Sequence, residues 1–469
     1  MAQPLGAGRV IPKPTATAAM KQSALLLLVP LFASSLCPAA DWPRFRGPNG
    51  SGIAEGKVPP LEWSAEKNVK WRAALPGPGS SSPIVTGDRV FVTCWSGYAE
   101  DGQAGDDPSA LQRHLVCIDR ASGEILWNRA VPARLPEDRY GGMFAQNGYA
   151  SHTPVTDGEK VFAFFGKSGV HAFDLDGKPL WQAEVGDRLD RRGWGSASSP
   201  ILHGDTLIVP ALVESLSMVA FNKNTGERLW TADSDGFAST WGTPVISQSG
   251  DRVDVLISVP GEIWALNPET GKLRWYCDGL MSDSVCNSLL VEDDVIYALG
   301  ERGGGSLAVR AGGQGNVSAS HTVWTGANGP RIPTPILWEG RLHWISGSIA
   351  ACRDAATGAE IYTERLATSS ELAAAGRSAP PEGGGGFGRG RGGGGMGGQD
   401  YASPVAAGGY LFHVTRRGEV LVTKMGSNFE LVARNRIEGD NSDFSATPAI
   451  SDGQLFLRSA RTVYCIAEE

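Results

Sequence analysis

A short opening recurs through this chain at nearly fixed intervals, and it limits the fold more than any other feature. Ser or Thr, usually followed by Pro and then by apolar residues, stands at Ser82-Pro83, Thr153-Pro154, Ser199-Pro200, Thr243-Pro244, Thr334-Pro335, Ser403-Pro404 and Thr447-Pro448, with Ser288-Leu289 a degenerate copy. The second positions are 71, 46, 44, 45, 46, 69 and 44 residues apart. Five of these intervals agree to within two residues, and the two long ones read as one repeat plus an insertion. The clearest copy, residues 199–230, contains three short β-branched or apolar runs, a tight Asn224-Thr225-Gly226 turn and the start of a fourth run at Leu229-Trp230. Glycine supplies the positive φ that such a turn needs. Four strands in ~40–45 residues is the pattern of a propeller blade.

The fourth strand repeats too. Its large residue is Trp127, Trp181, Trp230, Trp275, Trp324 and then Tyr362, with Leu431 a weaker match. Seven such strands follow eight openings. The missing one is supplied at the front, where Val69-Lys70-Trp71 precedes the first opening. The expected fold is therefore an all-β, eight-bladed propeller of four-stranded antiparallel blades over residues 69–469, closed by an N-terminal strand. The large residues Trp71, Trp127, Trp181, Trp230, Trp275, Trp324 and Tyr362 are expected to pack between blades. Ring closure leaves no unpaired inner edge.

Ahead of the ring, Met20-Lys21, the run LLLLVPLFA and Pro38-Ala39-Ala40 have the order of a secretory signal, so residues 1–40 are read as a leader, with Met20 an alternative start. Cys37 offers a lipid-anchoring position, but Leu36 occupies the place where a small residue is expected. The chain is then expected in the periplasm or on the periplasmic face of the outer membrane, as a monomer without a transmembrane segment. The formal charge is −8, and −11 without the three basic residues of the leader, which argues against nucleic acid as a partner. Residues 41–68, beginning DWPRFRGPNGSG, read as a strap packed on the propeller surface, with Arg44 and Arg46 as candidate binding groups. The tract PPEGGGGFGRGRGGGGMGGQD within residues 367–400 lacks apolar content and is expected to be a disordered insertion.

No CysXXCys, GxSxG, Walker loop or HExxH occurs, and the seven His are scattered, so metal-site, nucleophile-elbow and nucleotide readings lack support and no metal is expected. Cys277 and Cys286 flank one loop and could close it as a disulfide. A propeller gathers the entries of its inner strands at one mouth of the channel. The residues just ahead of the openings are thus the ligand candidates: Tyr149, His152, Trp194, Trp241, Asp283, Asn287, Arg331, Asp400, Tyr401, Asp443 and Phe444.

The turn and fourth-strand sequences CIDRASGEILW, AFDLDGKPLW, AFNKNTGERLW and ALNPETGKLRW, with the Ser/Thr-Pro openings, resemble the pyrroloquinoline-quinone (PQQ) repeat. That repeat builds both quinoprotein alcohol dehydrogenases and the non-enzymatic BamB-like propellers of outer-membrane protein assembly. The dehydrogenases imply PQQ with calcium, a vicinal Cys-Cys disulfide, a Glu, Asn and Asp set around the ion, a catalytic Asp and, for some, a haem-binding CxxCH. The chain has no Cys-Cys and no CxxCH, and none of the acidic set can be placed by motif. The resemblance therefore implies a non-catalytic scaffold that holds a protein or peptide partner in the cell envelope, with no cofactor. The alternatives are a PQQ-dependent alcohol or sugar dehydrogenase, and carbohydrate binding through Trp194, Trp241 and Tyr401.

Overall fold

A computed structural model describes residues 41–300, 304–326, 329–367 and 399–468. The leader expected over residues 1–40, and all but the ends of the Gly-rich insertion, lie outside the described residues. Eight sheets follow one another along the chain: residues 84–132, 155–183, 201–233, 245–278, 290–326, 336–365, 405–436 and 449–466, here blades 1 to 8. Each is a meander of antiparallel strands. In blade 3, for example, Ile201–His203, Thr206–Ala211, Ser217–Asn222 and Arg228–Asp233 pair in order, with turns at each joint. Blade 8 has three strands of its own, and Val69–Ala74 adds the fourth, pairing antiparallel with Thr462–Ile466. The ring is thus closed by the N-terminal strand that the sequence pattern predicts. No helix among the described residues is long and apolar enough to cross a membrane.

The repeated Trp residues join blade to blade in one way. The indole N–H of Trp71, Trp127, Trp181, Trp230 and Trp324 donates to a carbonyl in the next blade's third turn, at Arg120, Leu175, Lys223, Pro268 and Ala355 respectively. The ring then lies flat on the glycine of that turn. At Gly226, with φ +74°, a Cβ would stand 2.7 Å from the Trp181 ring, so both the backbone conformation and the contact require glycine. Two joints depart from the rule. Trp275 of blade 4 turns back to Asp254 of its own blade, at 3.0 Å, and a short strand Gly315–Asn316 pairs in parallel along the outer edge of that blade. At the joint between blades 6 and 7, Tyr362 packs on Phe429.

The strap does not lie on the outer surface. Trp42 bridges to Val85 of blade 1, and the Pro43 carbonyl accepts from Thr156 N–H of blade 2. Arg44 reaches the Pro244 carbonyl of blade 4. Ile53–Ala54 then pairs in parallel with the innermost strand of blade 7. The segment therefore crosses the axial channel. Arg46, 1% exposed, is its anchor: the guanidinium donates to the carbonyls of Gly50, Ser51, Thr334, Pro335 and Pro404 at 2.6 to 3.2 Å. Burial pushes its pKa down to about 9, which leaves it charged at neutral pH. The candidate binding arginines Arg44 and Arg46 are thus buried in the floor of the channel.

The six cysteines of the described residues form no disulfide. Cys277 and Cys286 are not bridged to each other, contrary to the pairing offered by sequence. Cys277 faces the fully buried core between blades 4 and 5, where it pairs across the ladder with Ile263, whereas Cys286 lines the channel mouth.

Candidate functional site

The innermost strands begin at the mouth of the channel, and the repeated Ser or Thr of each opening lines a cavity there: Ser82, Thr153, Ser199, Thr243, Ser288, Thr334, Ser403 and Thr447. These residues are also the reason that the opening repeats. The backbone N–H of Ser82 donates to Thr153 Oγ1, that of Thr153 to Ser199 Oγ, and so on through Thr243, Ser288, Thr334 and Ser403 to Thr447, seven bonds of 2.9 to 3.1 Å. Each bond spans adjacent blades. It satisfies an N–H that the strand ladder leaves over, and a buried N–H without a partner would cost about 1–3 kcal/mol. Each hydroxyl that accepts in this way keeps its own O–H to donate. Between blades 8 and 1, buried Arg458 donates to both the carbonyl and the hydroxyl of Ser81.

The cavity holds about 1000 Å³ with its mouth included. Phe45, from the strap, and Ile332 give it apolar surface, and Phe144, Trp194, Trp241 and Tyr401 supply aromatic walls. Arg331 is the one charged side chain of the described lining, which contains no carboxylate. Among the described residues no cluster of three or more His, Cys, Asp or Glu could hold a metal ion.

Of the eleven ligand candidates, Trp194, Trp241, Arg331 and Tyr401 line this cavity. Two of the aspartates instead act on the aromatic walls through an arginine. Asp283 pairs with Arg192 at 2.8 Å, and the guanidinium lies 4.3 Å from the Trp194 ring centre and 5.8 Å from that of Trp241. The two indoles are 5.1 Å apart and tilted by 34°. Across the mouth, Asp443 pairs with Arg416, which lies 5.2 Å from the Tyr401 ring, and Asp400 accepts the Arg416 N–H while bonding His413. Each arrangement is an aspartate-held arginine bracing an aromatic face, a favourable cation–π geometry. The Arg192 hydrogen bond holds the exposed Asp283 carboxyl below the usual range, and burial raises the Tyr401 phenol.

The other candidates point into the blades. Tyr149 is buried beside Trp95, Tyr98 and Tyr140, donating its hydroxyl to the Asp138 carbonyl. Asn287 donates to the carbonyls of Leu299 and Pro330. Phe444 covers Gly418. His152 is buried against Phe164, 2.9 Å from Ser196 Oγ; burial pushes its pKa down to about 3, so it is neutral. Ser196 in turn donates to Glu214, whose carboxyl is pushed up to about 7, first by burial. Nearby stand two buried ion pairs, Arg113–Glu137 at 2.7 Å and Lys167–Asp138 at 2.8 Å. The connector carrying Trp194 is tied to the same place, because the Arg188 N–H donates to the backbone carbonyl of Glu214 and the Asp190 N–H to the Asp138 carboxylate. Reasoning along the sequence missed this network and also Phe45, Phe144 and Ile332. The hydroxyl ring was present in the repeat itself.

The fold and repeat have known counterparts. BamB from Moraxella catarrhalis is similar over 85% of this chain and 98% of its own, with 13% identity and a TM-score of 0.50. A europium-containing methanol dehydrogenase matches over 89% of each chain, with 12% identity and a TM-score of 0.58. Quinohemoprotein alcohol dehydrogenase from Comamonas testosteroni matches over 92% of this chain and 81% of its own, with 12% identity and a TM-score of 0.51. At such identities the likeness is one of fold. No curated protein sequence matches the chain. The family profile described as outer membrane protein assembly factor BamB matches residues 109–219 and 214–469, and the chain belongs to this PQQ-repeat, BamB-like family.

Proposed function

We propose that this chain is a non-catalytic binding propeller of the cell envelope, which presents its open channel mouth to a protein or peptide partner. The observation that carries this reading is the chemistry of the cavity: aromatic walls and a ring of hydroxyls, with a single arginine and no carboxylate in the described lining. General acid–base chemistry needs a titratable group within hydrogen-bond reach of the reacting atoms. The aspartates nearest the mouth are committed elsewhere, Asp283 to Arg192, Asp400 to His413 and Asp443 to Arg416.

The same donor set does not fit PQQ with calcium. Calcium takes six to eight oxygen ligands, typically with carboxylates among them, and the described lining offers none. The neighbours in fold include both a BamB and dehydrogenases, so the choice between the two rests on the chemistry of the cavity. A sugar stacked on Trp194, Trp241 and Tyr401 is a second reading, favoured by the meeting of all three at one mouth. The envelope location draws on the leader-like residues 1–40 and on the likeness to BamB.

Titration of the full chain with PQQ and calcium, followed by intrinsic tryptophan fluorescence, tests the reading. A flat titration is expected. Saturable quenching at micromolar quinone would overturn it in favour of a quinoprotein.

A further inference from the structure

The mouth cavity is blind. The strap crosses the channel beneath the hydroxyl ring, with Phe45 facing the cavity and Arg46 holding the segment to blades 6 and 7. An extended segment cannot run through the ring. It can enter as a chain end or as a loop.

The two ends of a polypeptide differ in the chemistry they require. An amino terminus brings an ammonium, which offers only donors and is best met by a carboxylate. A carboxyl terminus brings two acceptor oxygens and a negative charge. The described lining has Arg331, a ring of hydroxyls with protons to donate, and no carboxylate. Charge-assisted bonds from arginine and hydroxyls to a carboxylate are the stronger class of hydrogen bond. The remaining lining mixes apolar and aromatic surface from Phe45, Phe144, Ile332, Trp194, Trp241 and Tyr401, against which a terminal side chain can pack, with Gln399 and further serines.

We infer that the cavity takes the carboxyl terminus of a partner polypeptide, with its carboxylate toward Arg331 and the hydroxyl ring and an apolar or aromatic last side chain against Phe45 and Ile332. This deepens the binding reading above and rests on it. The braces on Trp194, Trp241 and Tyr401 then serve the residues just before the end, by fixing the aromatic faces that line the entrance.

The test uses the full chain and a pair of fluorescein-labelled pentapeptides ending in Phe, one with a free carboxylate and one as the C-terminal amide, read by fluorescence polarisation. The free acid is expected to bind at least about tenfold more tightly than the amide, the scale of one charge-assisted hydrogen bond. Arg331→Ala is expected to reduce the acid to the affinity of the amide, and Arg331→Lys to restore part of the difference. The comparison of the two peptides on the unaltered protein stands even if a variant fails to fold. Equal affinity for acid and amide would overturn the terminus and leave the binding reading in place. Failure of both peptides at millimolar concentration would overturn the terminus, and saturable binding of a galacturonic acid oligomer or of PQQ in their place would overturn the binding reading as well.

Discussion

The two ends of the channel handle charge in opposite ways. At the closed end, Arg44 and Arg46 are buried without a carboxylate and are held by backbone carbonyls, Arg44 by one of blade 4 and Arg46 by those of blades 6 and 7 and of the strap itself. At the open end, four buried or half-buried cations come with an acid, Arg113 with Glu137, Lys167 with Asp138, Arg416 with Asp443 and Arg192 with Asp283, while Arg458 is held by Ser81 instead. A guanidinium held by several carbonyls from different blades is a rigid tie, because each bond fixes a separate strand. A paired arginine over an aromatic ring fixes that ring and leaves its surroundings open to solvent. One end is built to hold the ring together and the other to present a surface.

The sharpest way to break this comparison is Arg46→Ala. Removing the guanidinium strands five carbonyls in a buried place, and we expect a loss of about 4 kcal/mol in urea unfolding. A loss below about 1 kcal/mol would mean that the floor is held by the other strap contacts.

Glu214 tests the open end. Its ordinary value of 4.5 is raised to about 7 in the folded protein, by burial and then by Glu137, against Arg113 and the bond from Ser196. The folded chain therefore keeps a proton that the unfolded chain releases, so stability falls as pH rises through this window and the penalty is complete above it. Gln escapes the penalty: E214Q is expected to match the parent at about pH 4 and to be more stable by about 3 kcal/mol at about pH 8. Equal stability of the two proteins at both pH values would sink the assignment.

The two braces should then separate by their exposure. Asp443 and Arg416 are mostly buried, with side chains 13% and 20% exposed, and D443N should cost about 1–2 kcal/mol. Asp283 is 80% exposed, and D283N should leave the unfolding midpoint unmoved while shifting the emission of Trp194 and Trp241. A large midpoint shift from D283N, or an unchanged emission spectrum, would show that Arg192 does not need Asp283 to stay on the indoles.

The repeat made the ring legible because a blade is a local meander whose turns and Trp recur at fixed offsets. Even the closing strand could be found, since a missing fourth strand at one end of the pattern and a spare Val69-Lys70-Trp71 at the other match by count. The site was half legible. Proximity to the mouth brought out Trp194, Trp241, Arg331 and Tyr401, but it could not say which neighbours turn inward. His152, Tyr149 and Asn287 sit at comparable offsets, yet each finds a buried partner in its own surroundings. The strap was misplaced because the arginine bonds that carry it across the channel span 200 to 358 residues, a separation that carries no local signal. The Cys277–Cys286 pairing failed because sequence nearness does not set where a side chain settles: Cys277 is packed in the core between blades 4 and 5, and Cys286 lines the cavity.

The pairing of Val69 with Ile466 has a consequence for how the molecule comes into being. During synthesis the strand that completes blade 8 appears hundreds of residues before its partners. Until residues 454–466 emerge, it has no sheet to join, and from then until the two pair, blade 8 offers an open edge of the kind that recruits foreign strands. The ring can therefore assemble seven-eighths of itself in order, but it becomes a closed object only at the last step. Losing a few residues from the very end should be as damaging as losing the strand near the start.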